Sequence, residues 1–275
     1  MNDVAIMGAG ELGGALAHLL AQRNSARVVR LIDEAGRIAA GKALDIAEAA
    51  PIVGSATEIV GSSDAAAAAI VVIADRAGGN EWQGEEGLIL LRRLAQMVPN
   101  AIIVCAGASQ RDLVDRGAGE LGFTRAGIFG SAPEALTGAV RAIVALETDR
   151  SPGDVALTVL GVPPSHIVIP WEDATIGGFA ATRLVDEPAR RRIAATVPAL
   201  WPPGPYALAA AAVKVIEAIV GGSRRLSNCF VAPEKSARTR TAALPVRLGP
   251  SGIVEVVLPE LSAHDRVALD NAMML

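Results

Sequence analysis

Three glycines and one aspartate are the residues whose spacing most directly implies chemistry. Val4-Ala5-Ile6-Met7 is a short apolar run. Gly8-x-Gly10-x-x-Gly13 follows it, and then a helical pattern through Leu16, Leu19 and Leu20. In such a turn the first glycine allows the chain to leave a strand sharply. The second lets a pyrophosphate approach the backbone, and the third lets the helix pack closely on the strand. The N–H groups of Glu11, Leu12 and Gly13 in the first helical turn then face the phosphates of a dinucleotide, aided by the helix dipole. A second apolar run, Val28 to Ile32, ends in Asp33, twenty positions past Gly13. A carboxylate there accepts hydrogen bonds from ribose hydroxyls and repels the extra phosphate of NADP, so the pattern implies NAD in preference to NADP. Glu11 lies inside the loop, where its charge repels a pyrophosphate unless the side chain turns to solvent.

The elements that must position these residues alternate between strand and helix. After Asp33 a helix runs through Ala39, Leu44, Ile46 and Ala47 and stops before Pro51, and Glu58 to Gly61 is a short strand. Ile70 to Ile73 is wholly apolar, as a central parallel strand is. Gly87 to Val98 has helical spacing and ends at Pro99, Ala101 to Cys105 is a strand, Asp112 to Leu121 a helix and Ile128 to Gly130 a strand. This alternation predicts an α/β fold with a Rossmann-type doubly wound parallel sheet over residues 1–145. Beyond it, residues 146–275 read as an α+β domain. Val155 to Leu160 and His166 to Ile169 are strands around Pro163-Pro164. Helices start at Glu187-Pro188 and at Tyr206, the latter ending at Gly221-Gly222. A hairpin joins Leu244–Leu248 to Ile253–Leu258, and Ser262 to Asp265 opens a last helix in capping-box fashion.

Composition excludes several classes. The formal charge of −4 leaves no basic surface for nucleic acid. Lysine occurs only at Lys42, Lys214 and Lys235, so arginine carries nearly all the positive charge. Cys105 and Cys229 have no metal or redox spacing, and Cys105 closes an apolar run as a buried thiol does. The longest apolar runs, such as Ala65 to Ala74, are far shorter than the ~20 residues of a membrane span. No signal-peptide pattern precedes the first strand. The expectation is a soluble, cytoplasmic protein with no membrane partner.

Further stretches carry a resemblance. Gly41-Lys42-Ala43-Leu44-Asp45-Ile46-Ala47-Glu48-Ala49-Ala50-Pro51 precedes Ile59-Val60-Gly61-Ser62-Ser63-Asp64. Gly161 to Gly178 contains Trp171 and Ile176-Gly177-Gly178, and Pro245 to Gly249 and Gly252 to Glu255 lie near the end. With Ala15 to Leu20, these segments resemble the lactate/malate dehydrogenase family over nearly the whole chain. The resemblance implies that family's two-domain fold, a dimeric or tetrameric assembly, and oxidation of a small hydroxy acid with NAD. A histidine base held by an aspartate, and arginines that bind the substrate carboxylate, would do that chemistry.

Position by position, that catalytic set is missing. Where the family has Gly-x-His-Gly-Asp, this chain has Gly161-Val162-Pro163-Pro164-Ser165, so Pro163 stands at the base. The gapless match of Gly130 to Arg141 puts Leu136 at the aspartate and Ala139 at the carboxylate-binding arginine. Arg141 matches a downstream arginine without a direct catalytic role. The mobile loop that supplies two more arginines is shortened to Asp75–Gly84, in which only Arg76 reaches toward the cofactor. The Thr-Asn-Pro whose asparagine meets the nicotinamide end is Cys105-Ala106-Gly107. His166, Arg76, Glu134 and Arg111 are the polar residues from which a relocated site would be rebuilt. The ordinary alternatives are a strand histidine with ordinary hydrogen bonds, solvated loop arginines and a first-turn helix acid, and His18 and His264 read as structural.

Three readings follow. The first is a family-like NAD(H)-binding protein, with Gly8, Gly10, Glu11, Leu12, Gly13 and Asp33 at the nucleotide and no malate or lactate dehydrogenase activity. The second is an NAD-dependent oxidoreductase on another hydroxy or oxo acid, using His166 and Arg76. The third is a chain in which nucleotide binding is also gone, hinted at by Glu11 and Ala106.

Overall fold

The computed structural model describes residues 3–64, 67–234 and 239–275, so Ala65, Ala66 and Lys235 lie outside the described residues. Strand β1 (Asp3–Met7) leads through Gly8-Ala9-Gly10 into α1 (Glu11–Gln22), and β2 (Val28–Ile32) into α2 (Gly36–Val53). Then come β3 (Glu58–Ser62), β4 (Ile70–Ile73), α3 (Gly84–Met97), β5 (Ile102–Cys105), α4 (Arg111–Glu120), β6 (Ile128–Gly130) and α5 (Ala132–Thr148). The first six strands are parallel in the order β3-β2-β1-β4-β5-β6. The residues of β4 and β5 are all buried, because helices cover both faces of the sheet. On α1 the spacing of Leu12, Leu16 and Leu20 turns one stripe inward. Full burial of Leu16 and Leu20 contributes about 1.5–3 kcal/mol each. The strand order reverses between β1 and β4, so the ligand crevice of such a sheet opens beyond Met7 and Ile73.

The second half is β7 (Val155–Ala156), β8 (Leu160–Val162), β9 (His166–Val168), β10 (Thr175–Ile176), β11 (Phe179–Ala180), α6 (Glu187–Thr196), α7 (Pro205–Gly221), β12 (Ser227–Val231), β13 (Ala242–Gly249), β14 (Gly252–Val256) and α8 (Ala263–Met273). The large sheet continues from β6 through β12, β13, β8 and β9, with β14 also on β13. A small sheet, β11-β10-β7, carries its own apolar cluster with α6 and part of α5. The architecture is the α/β one expected, with the parallel sheet leading into an α+β half. Ser262 caps α8 through its Oγ, which accepts the Asp265 N–H at 3.1 Å.

Some element boundaries depart from the sequence reading, each for a physical reason. Helix α2 passes Pro51 and ends at Gly54, whose positive φ closes it. The hydrogen bond that Pro51 cannot make would go to the Ala47 carbonyl, on an exposed turn that water reaches. The single strand expected over Val155–Leu160 is two, since β7 pairs with β10 and β8 with β13. Strands β10, β11 and β12 were not expected.

Candidate functional site

The glycine turn forms as its spacing implies. Gly8 has φ +117° and its N–H donates to Ile32 O at 2.7 Å. A Cβ on Gly13 would stand 2.0 Å from Gly8 O, so the α1–β1 contact requires a glycine there. Glu11 is exposed. The charge that enters the turn comes from Asp75, the second residue after β4. Its Oδ1 accepts the Gly13 N–H at 2.9 Å and its Oδ2 the Leu12 N–H at 3.1 Å, while its carbonyl accepts the Gly10 N–H at 2.9 Å. A Cβ on Gly10 would lie 2.3 Å from the Asp75 carboxyl carbon. The space that a bare glycine opens for a pyrophosphate is therefore filled by this chain's own carboxylate. Such charge-assisted bonds at a helix N-terminus contribute about 1.5–3 kcal/mol each.

The rest of the groove is satisfied in the same way. Asp33 is 6% exposed and accepts three backbone N–H groups: Ala9 at 2.8 Å, Ala35 at 2.9 Å and Ala77 at 2.9 Å. The last of these belongs to the loop after Asp75. At the other end of that loop, Glu81 Oε1 accepts the Ala108 N–H at 2.9 Å and Oε2 the Ser109 N–H at 2.7 Å. A Cβ on Gly107 would stand 2.4 Å from the Glu81 carboxyl carbon. Buried Gln110 ties the ends of β4 and β5 together, accepting from Gly107 N–H at 2.9 Å and donating to Ala74 O at 3.0 Å. Lys42 Nζ donates to Gly10 O at 2.6 Å. A dinucleotide needs the amides of the first α1 turn for its phosphates. As arranged, the residues of the groove do not fit one, because a like charge already holds those amides.

Asp75, Glu81 and Gln110 had no role in the sequence reading. The signal that could have found Asp75 is an acid directly beyond the strand next to β1, at the switch point of the sheet. Arg76, expected to reach toward the cofactor, has partners within its own loop and on α3. It pairs with Glu86 of α3 at 2.7 Å and lies over the Trp82 ring at 5.0 Å. Arg76 Nε and Trp82 Nε1 are buried without a hydrogen-bond partner.

The positions that match the family's catalytic set sit in apolar or turn surroundings. Leu136 is 1% exposed and belongs to the apolar cluster with Val155, Leu157 and Val159. Ala139 is half-buried one turn on, and Pro163 is the first residue of the turn between β8 and β9. His166 is exposed and pairs through its backbone with Val162. Arg111 donates from Nε to Thr241 O at 2.6 Å, and burial pulls its pKa below the usual guanidinium range. No shared partner joins His166, Arg76 and Arg111 among the described residues.

Glu134 lies in the first turn of α5, as its ordinary reading has it. It is 6% exposed, pairs with Lys214 of α7 and accepts the Asn228 N–H at 2.8 Å, with Arg141 at 3.9 Å. Asn228 in turn donates from Nδ2 to Thr137 Oγ1 at 2.6 Å and to Val159 O at 3.2 Å. This network joins α5, α7 and β12. Cys105 and Cys229 are buried free thiols, and burial pushes the Cys105 thiol up to about 12. His18 is half-buried on α1, and His264 is exposed on the first turn of α8. Among the described residues no group of three or more His, Cys, Asp or Glu side chains is placed to hold a metal, and no single helix is long and apolar enough to cross a membrane.

Comparison with known proteins follows the same outline. Residues 2–114 match the NAD binding domain of lactate/malate dehydrogenase. A malate dehydrogenase of Thermomicrobium roseum is 29% identical over 290 residues, covering 98% of this chain and 94% of the relative. One of Bacillus cereus is 29% identical over 299 residues, 99% of this chain and 95% of the relative. The malate dehydrogenase structure from Salinibacter ruber superposes with a TM-score of 0.88 at 24% identity, covering 98% of this chain and 93% of that one. A lactate dehydrogenase structure from Cryptosporidium parvum, complexed with lactic acid and nicotinamide adenine dinucleotide, gives 0.87 at 21% identity over 98% of this chain and 94% of that one.

Proposed function

We propose that this chain, which belongs to the lactate/malate dehydrogenase family of NAD-binding dehydrogenases, is a member without malate or lactate dehydrogenase activity. The observation that carries this reading is Leu136, buried in an apolar cluster at the position that matches the family's aspartate. Two more substitutions support it. Pro163 has no titratable group at the base position, and Ala139 has no charge for a substrate carboxylate. Oxidising a hydroxy acid requires a proton and a hydride to leave the same carbon and its oxygen, and the proton needs an acceptor within hydrogen-bond reach. The relocated alternative finds no support in the placement of its residues: Arg76 is committed to Glu86 and Trp82, and His166 faces solvent.

The nucleotide half keeps the turn and Asp33. Any dinucleotide that entered the groove would be NAD(H) rather than NADP(H), since Asp33 would repel a phosphate on the adenosine ribose. Assembly as a homodimer or homotetramer is part of the same reading, supported by large apolar residues left exposed on α2, among them Leu44 and Ile52. The test is NADH oxidation followed at 1 mM oxaloacetate or pyruvate, about the upper end of ordinary KM values. The expected rate is that of the protein-free control. A kcat on the order of 1 s⁻¹ or more, the lower end for ordinary enzymes, overturns the reading.

A further inference from the structure

We propose that residues 75–83 are a built-in occupant of the dinucleotide groove, a strap that holds it closed against NAD(H) until displaced. The inference rests on the family reading of that groove and goes beyond it. The strap meets the groove at three points along its length. At the adenosine end, the Ala77 N–H takes the Asp33 carboxylate that would otherwise face ribose hydroxyls. At the centre, the Asp75 carboxylate takes the Leu12 and Gly13 amides that would face a pyrophosphate. At the end that in the family meets the nicotinamide, Glu81 takes the Ala108 and Ser109 amides beside Gly107. Both acids thus stand where anionic or polar parts of a dinucleotide would stand, and each holds amide donors that a ligand would need.

The strap is also built to move as a unit. Its two ends bridge each other as Asp75 and Glu81, and Arg76 N–H donates to Asn80 O at 3.1 Å, so it keeps internal structure when lifted. Gly78 and Gly79 lie at its tip and Gly84 follows it, with positive φ at Gly78 and Gly84. Its seat is imperfect, because Arg76 Nε and Trp82 Nε1 remain buried without partners. A seat with unpaired donors is one that a competing ligand can displace.

The experiment is calorimetric titration of the full-length protein with NADH and, separately, with ADP-ribose. Wild type is expected to bind both no tighter than millimolar. Asp75→Gly is expected to bind both at least tenfold tighter. Glu81→Gln is expected to tighten NADH while leaving ADP-ribose unchanged, because Glu81 sits at the end that ADP-ribose does not reach. If Asp75→Gly does not fold, Asp75→Asn keeps an acceptor and removes the charge, and a severalfold gain is expected. Low-micromolar NADH binding by wild type overturns the strap, as does a folded Asp75 variant that binds no tighter than wild type. These outcomes separate from those of the activity assay. Tight NADH binding without turnover removes the strap and leaves the silent reading. Turnover accompanied by weak wild-type binding that Asp75→Gly relieves removes the silent reading and leaves the strap.

Discussion

Lys214 shows what one residue contributes to this fold. Its partner Glu134 is 6% exposed while Lys214 itself is 38% exposed, so the pair lies at the edge of the interior. Removing one member of a fully buried pair costs about 3–5 kcal/mol, because the other charge is left without compensation. Here Glu134 retains the Asn228 N–H and a distant Arg141, and water reaches the lysine end. Lys214→Met is therefore expected to cost about 1–3 kcal/mol, read as a lower urea midpoint with an unchanged slope. At this scale the sequence was half legible. Gly8, Gly10, Gly13 and Asp33 are local signals, and they build the turn that their spacing implies. Asp75 was not legible, since its meaning comes from β4 lying beside β1, which puts residue 75 against residue 10. The sequence reading looked for the repelling charge inside the loop, at Glu11, whose side chain is exposed, whereas the charge in the turn is that of Asp75. Glu134 is the first-turn helix acid that the sequence reading gives as its ordinary alternative, but its burial was not legible, because that comes from α7 and β12, far along the chain.

Helices α1 and α7 pack face to face, and their outer ends are joined by ions. Arg23 donates to Glu217 from Nε at 2.7 Å and from Nη2 at 2.9 Å, and Ser25 Oγ donates to the same carboxylate at 2.7 Å. The Arg23 hydrogen bond holds the Glu217 carboxyl below its ordinary value of 4.5. A carboxyl depressed in the folded state adds stability that is fully present above its unfolded pKa and is lost as pH falls through the folded one. Glu217 is half-buried but its partner Arg23 is exposed to solvent, so the contribution is a few tenths to about 1 kcal/mol. Glu217→Gln is expected to lower the melting temperature slightly at pH 7, with the difference from wild type shrinking as pH falls below that ordinary value. A difference that did not change with pH would place the effect in packing instead. Elements with strong periodicity, such as α1, α3 and α7, were legible to within a few residues. Strand β12 was not. Its sequence Ser227-Asn228-Cys229-Phe230-Val231 opens with two residues of low strand propensity, and Asn228 is tolerated there only because Glu134, Thr137 and Val159 supply its hydrogen bonds.

That overlooked strand decides how the whole molecule holds together. β12 lies between β6, the last parallel strand, and β13, and it pairs with both. Phe230 packs over Gly130, where a Cβ would stand 3.0 Å from its ring. The main apolar core runs from Val4 to Leu269 without a break at the boundary between halves, and α7 closes it against α1. The sequence reading divides the chain near residue 145, where the alternation of strand and helix stops. The hydrogen-bond ladder does not stop there. Cutting at that point would leave β6 as an unpaired edge, expose Phe129 beside it and strip α1 of its cover, and such an edge recruits other chains. The full-length chain is therefore expected to unfold in one transition, with tryptophan fluorescence and far-ultraviolet circular dichroism coincident in urea. Trp171 and Trp201 report the second half and Trp82 the first, while the helices α1 to α4 supply much of the dichroism of the first. The fragment 1–145 is expected to aggregate or to show no cooperative melt. A soluble, cooperatively folding 1–145 fragment would mean that β12 and α7 merely dock on a finished domain, and two separated transitions in the full chain would say the same.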